Sequence, residues 1–293
     1  FEDSGNVAAL LIYNATNELG YAVKSIGDPS KKIIHYDGLD LLATVDNRNL
    51  LERFAYSLWA KLSPYKSLYH HMYETGMLCK ALLEKTTYVP LVPIFQSYIC
   101  KEDGTCLSES EVIQIVSFLI ACHDIGKASA GFQKKASGTD EYRIEFVIDT
   151  IAKKKMESKL TKSDGFRHEL VSAAIMKDYL KESGVDSITI RGLSEVYKNH
   201  HLTHVEDESY SKIFDEENKD EWYKVNHVLL DRLKSVFNPA LAFKVEKKNR
   251  NIFDTLLLSL MYRCDWMASS LFSQEEPKEV LYTDYVQSML NDY

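Results

Sequence analysis

His123 and Asp124 stand side by side at the end of an apolar run that begins at Phe118, and Ile125, Gly126 and Lys127 follow at once. Ending a buried helix in an adjacent imidazole and carboxylate costs desolvation free energy unless something binds them. A metal ion is the obvious candidate. Five more residues of the same chemical kind stand at the ends of apolar helical stretches elsewhere in the chain: His71, His168, His200, His201 and Asp265. Imidazole with carboxylate suits borderline divalent transition metals such as iron, manganese, cobalt, nickel or zinc better than calcium. Seven such donors exceed the needs of one ion and fit two, with one carboxylate shared.

The elements that must position these donors read as helices. Ser63 and Pro64, an N-cap followed by a first-position proline, predict a helix over residues 65–84 that carries His70 and His71. Ser108 and Glu111 have the spacing of a capping box and open an almost wholly apolar helix over residues 109–122, which belongs in the middle of the domain and is expected to stop at Gly126. Arg167 and His168 start a helix closed by Gly184. A helix over residues 192–199 delivers His200 and His201 at its C-terminal end, with His204 one loop later and read as a loop residue. A last apolar helix over residues 252–264 terminates at Asp265. Two buried helices that each end in an aspartate point to one shared site. Residues 215–236 are charged and amphipathic and include His227, read as a surface or packing residue.

Residues 1–50 have a different character. Short β-prone segments at 8–13, 21–26 and 32–36, separated by turn residues, suggest a small hairpin or sheet, and the lone His35 within it reads as structural. Glycine and proline are scarce, at 12 and 6 of 293 residues, which favours long helices. The expectation is therefore a mainly α protein with a small β-containing N-terminal extension, divided into residues 1–50 and 51–293.

A net charge of −8 argues against a protein that coats duplex nucleic acid through a basic surface, although bound divalent cations would reverse the local sign at a histidine-rich site. Five scattered cysteines read as reduced thiols of a cytoplasmic protein. Cys100 and Cys106 frame a short loop, while Cys122 and Cys264 read as small core residues despite preceding proposed ligands. No apolar run reaches the ~18 residues that span a membrane, and no secretory signal opens the chain. The chain starts at Phe1, which fits an excised or processed fragment. The locally basic stretch 134–167 reads equally as a solvated face or as a contact with a DNA backbone. Trp59, Trp222 and Trp266 read as core, and Phe132 as a ring near the site that could stack on a nucleotide.

The order H…HD…H…HH…D, with Gly126-Lys127 after the HD pair, resembles the HD phosphohydrolase superfamily, and within it the HD nuclease domain of the CRISPR-associated helicase-nuclease of type I systems. The flanking residues carry the resemblance further: Leu58 to Lys61 with Tyr65 and Leu68, Lys127-Ala128 with Phe132-Gln133, Arg167-His168, the pair His200-His201, and Asp265-Trp266 with Ala268-Ser269. It covers roughly residues 55–272. Two positions depart from the family's usual pattern: Glu74 stands where aspartate is common, and Leu202 where glycine is.

What the resemblance implies is an HD-domain helical bundle. One divalent ion would be held by His71, His123, Asp124 and Asp265, and the other by Asp124, His168, His200 and His201, so that Asp124 bridges. His71 rather than His70 is the first ligand, because the residues after it match the family's register. Lys127 would contact the scissile phosphate. The ions implied are manganese, iron, cobalt or nickel, with magnesium as a further option. The activity implied is a metal-dependent (endo)deoxyribonuclease that cleaves single-stranded DNA in antiviral defence, working with a helicase subunit or domain and an RNA-guided surveillance complex. No Gly-x-x-x-x-Gly-Lys-Ser/Thr motif occurs here, so the motor is expected outside this sequence. Two other readings stay open: a phosphohydrolase acting on nucleotides or cyclic nucleotides, and a docking module with a dormant site. The chemistry suits phosphodiester hydrolysis, since two metals activate water near neutral pH and stabilise charge on the phosphate without a protein nucleophile.

Overall fold

Ser108 opens the helix on which the bundle is built. Its Oγ accepts from the Glu111 amide at 3.2 Å, and Glu111 Oε2 accepts from the Ser108 amide at 2.7 Å, so two orphan donors at a helix start are satisfied reciprocally. The computed structural model describes residues 9–12, 22–25, 52, 55–56, 58–62, 65–85, 90–133, 135, 167–201 and 219–270. In chain order the elements are β1 (Ala9–Ile12), β2 (Ala22–Ser25), β3 (Trp59–Leu62), β4 (Tyr65–Ser67), α1 (Leu68–Lys85), α2 (Leu91–Gln96), β5 (Ile99–Lys101), α3 (Glu109–Ala121), a 3₁₀ segment (Cys122–Lys127), α4 (Ala130–Gln133), α5 (His168–Glu182), α6 (Ser187–Lys198), α7 (Lys219–Phe237), β6 (Phe243–Val245) and α8 (Arg250–Ser270). The protein is mainly α-helical, with three two-stranded antiparallel sheets among the described residues.

The helix opened by Ser108, α3, is the axis of the core. Every residue from Ile115 to Ala121 is buried, and α1, α2, α7 and α8 all pack on it. A helix that is apolar on all sides has no face to offer water and must be surrounded. The 3₁₀ segment continues α3 and packs on α5, while α6 packs on α5 and α8. No helix among the described residues is long and apolar enough to cross a membrane.

Several boundaries differ from the sequence reading. The hairpin expected in residues 1–50 is present as β1 and β2, with Ala9 opposite Ser25 and Ile12 opposite Ala22; residues 32–36 lie outside the described residues. The helix predicted over 65–84 starts instead at Leu68, and residues 65–67 form β4, paired with β3 in a hairpin. A serine does cap that helix, but it is Ser67, whose Oγ accepts from the His70 amide at 3.2 Å; Ser63 and Pro64 lie outside the described residues. Helix α6 begins at Ser187, five residues earlier than Gly192, because Asp186 caps it by accepting from the amides of Ile188 and Thr189. Strands β5 and β6 were invisible to periodicity, being three residues long and paired across a separation of 144 residues at Cys100 and Lys244.

Two corrections bear on the site. Asp265 does not terminate its helix, since α8 runs on to Ser270. Nor is α8 apolar all round: Phe253, Leu257, Leu260, Met261 and Cys264 are buried on one face, while Ile252 is half exposed. The tryptophans also divide, with Trp59 buried, Trp222 partly buried against the core and Trp266 70% exposed. All five cysteines are free thiols.

Gly126 sits within the 3₁₀ segment rather than ending it. A Cβ there would lie 2.0 Å from the His168 carbonyl oxygen and 2.5 Å from the Ser172 amide, so glycine is required by close approach to the start of α5. By contrast, Gly184 closes α5 as expected, with φ at +87° and the Val185 amide reaching back to the Leu180 carbonyl at 3.0 Å. Gly126→Ala is expected to push α5 off the 3₁₀ segment and to cost about 1–3 kcal/mol of stability, the scale of an overpacked core. Urea unfolding followed by circular dichroism measures it, and an unchanged midpoint would contradict the close approach.

Candidate metal centre

The site is assembled from helix ends. His71 lies in the first turn of α1 and His168 is the first residue of α5, while His123, Asp124 and Lys127 sit in the 3₁₀ extension of α3. His200 and His201 follow α6 directly, and Asp265 projects from the penultimate turn of α8. All seven ligands expected from the sequence, and Lys127, are brought to one place. Their donor atoms fall into two groups of four: His71, His123, Asp124 and Asp265, and Asp124, His168, His200 and His201, with the atoms of each group within 4.8 Å of one another.

Asp124 belongs to both groups because its two oxygens face opposite ways. Oδ2 lies 3.1 Å from His71 Nε2 and 3.3 Å from His123 Nε2, and Oδ1 lies 3.2 Å from His168 Nε2 and 3.4 Å from His200 Nε2. Asp265 Oδ1 completes the first group, 3.1 Å from His71 Nε2 and 3.5 Å from His123 Nε2. In the second group His168 Nε2 and His201 Nε2 face each other at 2.8 Å. His70 points elsewhere, with its Nε2 2.8 Å from Glu74 Oε1, so His71 is the histidine that enters the site.

The outer nitrogens of two rings are already committed. His123 Nδ1 lies 3.0 Å from the Ile120 carbonyl, and His200 Nδ1 lies 2.6 Å from the Tyr197 carbonyl. A carbonyl only accepts, so each Nδ1 carries a proton and each Nε2 is the nitrogen aimed at the centre. His123 Nε2, His200 Nε2, both nitrogens of His71 and Asp124 Oδ1 are buried and satisfy no hydrogen bond. Buried polar atoms are ordinarily paired. Orphaned atoms converging from several elements on two points fit divalent ions held by imidazole and carboxylate.

The electrostatics follow from that crowding. Asp124 is 1% exposed, and burial alone would favour its neutral acid; the Lys127 ammonium and the imidazoles of His123 and His168 reverse this and hold it well below the usual carboxylate range. Asp265 is likewise pulled down against its burial by His123 and His71. For His123, burial lowers the pKa but the two carboxylates outweigh it and raise it to about 10, so a cation entering the first group displaces a proton. His168 goes the other way, lowered because burial exceeds the pull of Asp124. Lys127 Nζ is 2.6 Å from Asp124 Oδ2.

Residues that the sequence reading passed over hold this arrangement. Tyr197 OH donates to the Leu119 carbonyl at 2.8 Å, tying α6 to α3. The Tyr262 hydroxyl donates to the Asn199 carbonyl, fixing the backbone just before His200 to α8. The Gly126 amide donates to Ser172 Oγ at 2.9 Å. Gln133, noted in the sequence only as a flanking match, is a clamp: its Oε1 accepts from the Trp59 amide at 3.2 Å, and its Nε2 donates to the carbonyls of Trp59 at 3.0 Å and Lys127 at 2.9 Å. Phe132 is buried rather than open for stacking, with its ring 4.5 Å from Trp59 and 5.3 Å from His168. His227 pairs with Glu182 at 3.4 Å, away from the centre. Leu202, His204 and nearly all of residues 134–167 lie outside the described residues.

The sequence profile described as "Cas3, HD domain" matches residues 59–272. Among solved structures the fold is similar to that of a CRISPR-associated protein, at a TM-score of 0.57 and 18% identity over 82% of this chain and 26% of that one. It is also similar to the Thermus thermophilus Cas3 HD domain crystallised in the presence of Ni²⁺, at 0.56 and 20% over 83% of this chain and 90% of that one. A third similar structure is T. fusca Cas3 with ATP, at 0.54 and 16% over 80% and 26%. The chain thus spans about a quarter of the length of the first and third. No curated protein matches.

Metal-stripped protein titrated with Mn²⁺ or Ni²⁺ is expected to take up two ions and to melt at a higher temperature, since an ion that binds only the folded state stabilises it by mass action. His71→Ala and His201→Ala should each lose one ion, and Asp124→Ala should weaken both. Elemental analysis after desalting reads the stoichiometry; two ions retained by Asp124→Ala would contradict the shared carboxylate.

Proposed function

The chain belongs to the Cas3 HD-domain family, and we propose on that premise that it is a metal-dependent nuclease that hydrolyses phosphodiester bonds of single-stranded DNA during CRISPR type I interference. The observation that carries this reading is the division of Asp124, with one oxygen facing each group of histidines. A single carboxylate shared by two imidazole-rich groups is a donor set that would hold two divalent ions.

Bound divalent ions would supply an acidified water near neutral pH and neutralise charge on the phosphate. The protein's own contribution is geometric and electrostatic. The Nδ1 protons of His123 and His200, fixed on backbone carbonyls, keep each Nε2 aimed inward without reorganisation. Asp124 and Asp265 are held ionised, so the first group presents two negative charges to a cation. Lys127, at the end of the same 3₁₀ segment, is a cation beside Asp124, and it would offer its ammonium to a non-bridging phosphate oxygen. Phe132 sets its ring edge-on to His168, with Trp59 tilted against the Phe132 ring, and so packs that imidazole in place.

On this reading a helicase subunit or domain delivers the unwound strand and an RNA-guided surveillance complex selects it. Residues 1–50 form an accessory extension to the nuclease domain.

Metal-stripped protein incubated with single-stranded circular DNA, with manganese, nickel, cobalt, iron or magnesium added back in turn, is expected to cut with at least one ion. Asp124→Ala should lose on the order of 10²–10³ in rate or more, the scale of removing a preorganised charge-stabilising group. Lys127→Ala should lose a similar factor while keeping both ions. Equal cleavage by Asp124→Ala would sink the dinuclear assignment, and hydrolysis confined to nucleotides or cyclic nucleotides would move the function to a small-molecule phosphohydrolase.

A further inference from the structure

Lys61 is a cation within electrostatic reach of the candidate metal centre that pairs with no acid among the described residues. It lies on β3 directly opposite Lys66 of β4, at a point where the strand register slips between Trp59 and Lys61. Residues directly opposite in an antiparallel pair project from the same face, and two like charges there repel. Such irregularities re-aim side chains near active sites. Lys66 is fully engaged: its Nζ donates to Glu74 Oε2 at 2.5 Å and to the Ala268 carbonyl at 2.6 Å, and it is 2% exposed. Lys61 is half-buried and forms no ion pair within 4 Å among the described residues. Even so, it lies within electrostatic reach of Asp265, Lys127, Asp124 and Glu74. Desolvation lowers its pKa, opposed by Asp265 and Asp124, so it carries a partly dehydrated charge that an anion would stabilise.

The hairpin that carries Lys61 is not free to drift. Gln133 bonds both the amide and the carbonyl of Trp59 and, through the same side-chain nitrogen, the carbonyl of Lys127. The Trp59 indole Nε1 returns a bond to the Gln133 carbonyl at 3.3 Å. One buried amide therefore fixes the strand bearing Lys61 to the segment bearing Lys127.

We propose that Lys61 is a second phosphate-binding cation of this centre, held in register with Lys127 by Gln133 and engaging the backbone phosphate of a nucleotide adjoining the one that is cut. The inference rests on the nuclease reading above and extends it: Lys127 serves the reacting phosphate and Lys61 its neighbour. The ligand this pair selects is a phosphodiester chain with at least two consecutive phosphates, in preference to a mononucleotide.

The test compares wild type, Lys61→Gln, Lys61→Arg and the exposed control Lys248→Gln in the metal-loaded full chain on a labelled single-stranded oligonucleotide. Steady-state KM and kcat are measured across a salt series. Anisotropy of the same oligonucleotide bound in chelator gives a second, cleavage-free readout. Lys61→Gln is expected to raise KM roughly tenfold, the worth of one charge-assisted contact, with kcat changed less and ion content unchanged. The slope of log Kd against log salt should fall by about 0.7, one phosphate contact on a single strand. Lys61→Arg should restore most of the KM and the slope, and Lys248→Gln should match wild type. Wild-type KM and salt slope in Lys61→Gln, with cleavage intact, would overturn the role of Lys61 and leave the nuclease reading standing. A Lys61→Arg protein as impaired as Lys61→Gln, with ions lost, would reduce Lys61 to a structural residue. Wild-type protein that cuts no DNA but shows the slope change would overturn the nuclease reading and keep Lys61 as a phosphate contact.

Discussion

A carboxylate with almost no solvent contact sits at the centre of this bundle, and the rest of the structure is arranged to keep it charged. Taking an ion of that size out of water costs several kcal/mol even after relaxation. Asp124 is held ionised by Lys127 and His123 within its own 3₁₀ segment and by His168 from α5, while His71 from α1 and His200 after α6 approach its two oxygens at 3.1 and 3.4 Å. None of the imidazole contacts is a well-formed hydrogen bond at Asp124 Oδ1, which is left without a partner. The compensation is thus a field rather than a network, and the buried imidazole nitrogens that converge there without a hydrogen bond are what a divalent cation would satisfy.

That requirement explains the use of helix ends. Side chains in helix interiors diverge around a cylinder, whereas a first turn or a C-terminal extension can point along the axis into a shared space. Here α1 and α5 enter the centre by their N-termini, α3 and α6 leave toward it at their C-termini, and only Asp265 comes from within a helix. The cost is that several helix termini must be anchored with little tolerance. Ser67 caps α1, Tyr197 and Tyr262 pin the exit of α6, and the absence of a Cβ at Gly126 lets α5 approach within contact of the 3₁₀ segment. Each is a small local interaction, and each sets the position of a histidine one to four residues away.

The residues that the structure gathers around Asp124 were legible in the sequence because chemistry writes them as residue types: adjacent His123-Asp124 at the end of an apolar run, paired His200-His201, and isolated His71, His168 and Asp265. The central helix was legible too, since a capping box and unbroken apolar residues are local signals. What escaped was whatever depends on distant partners. The hairpin β3–β4 reads as helix because strands of four and three residues carry no period, and only the bonds of Trp59 to Gln133, 74 residues away, reveal why it is extended. Asp265 read as a helix end because the apolar run stops at it, yet α8 continues to Ser270, and the exposure of Trp266 shows that the helix goes on with one face in solvent. The choice between His70 and His71 needed a register, which the cap at Ser67 supplies physically: it turns the helix so that His71 faces Asp124 and His70 faces Glu74.

Glu74 makes the same point about a departure from the family's usual pattern. A glutamate reaches one methylene further than aspartate, and in this chain that reach is used to span from α1 to β4. Its Oε2 meets Lys66 at 2.5 Å and its Oε1 meets His70 at 2.8 Å, while Lys66 also bonds the Ala268 carbonyl three residues beyond Asp265. Burial would raise the pKa of Glu74, and His70 and Lys66 bring it below the usual value instead, so the cluster is charged and internally neutralised. Removing either partner would strand a buried charge, which is far costlier than losing a surface ion pair. The longer side chain therefore does not disturb the metal centre; it braces it, because the last turns of α8, and with them Asp265, are tied through Lys66 to the same helix that carries His71. A salt bridge that neither His71 nor Asp265 joins thus ties together the two helices that carry them.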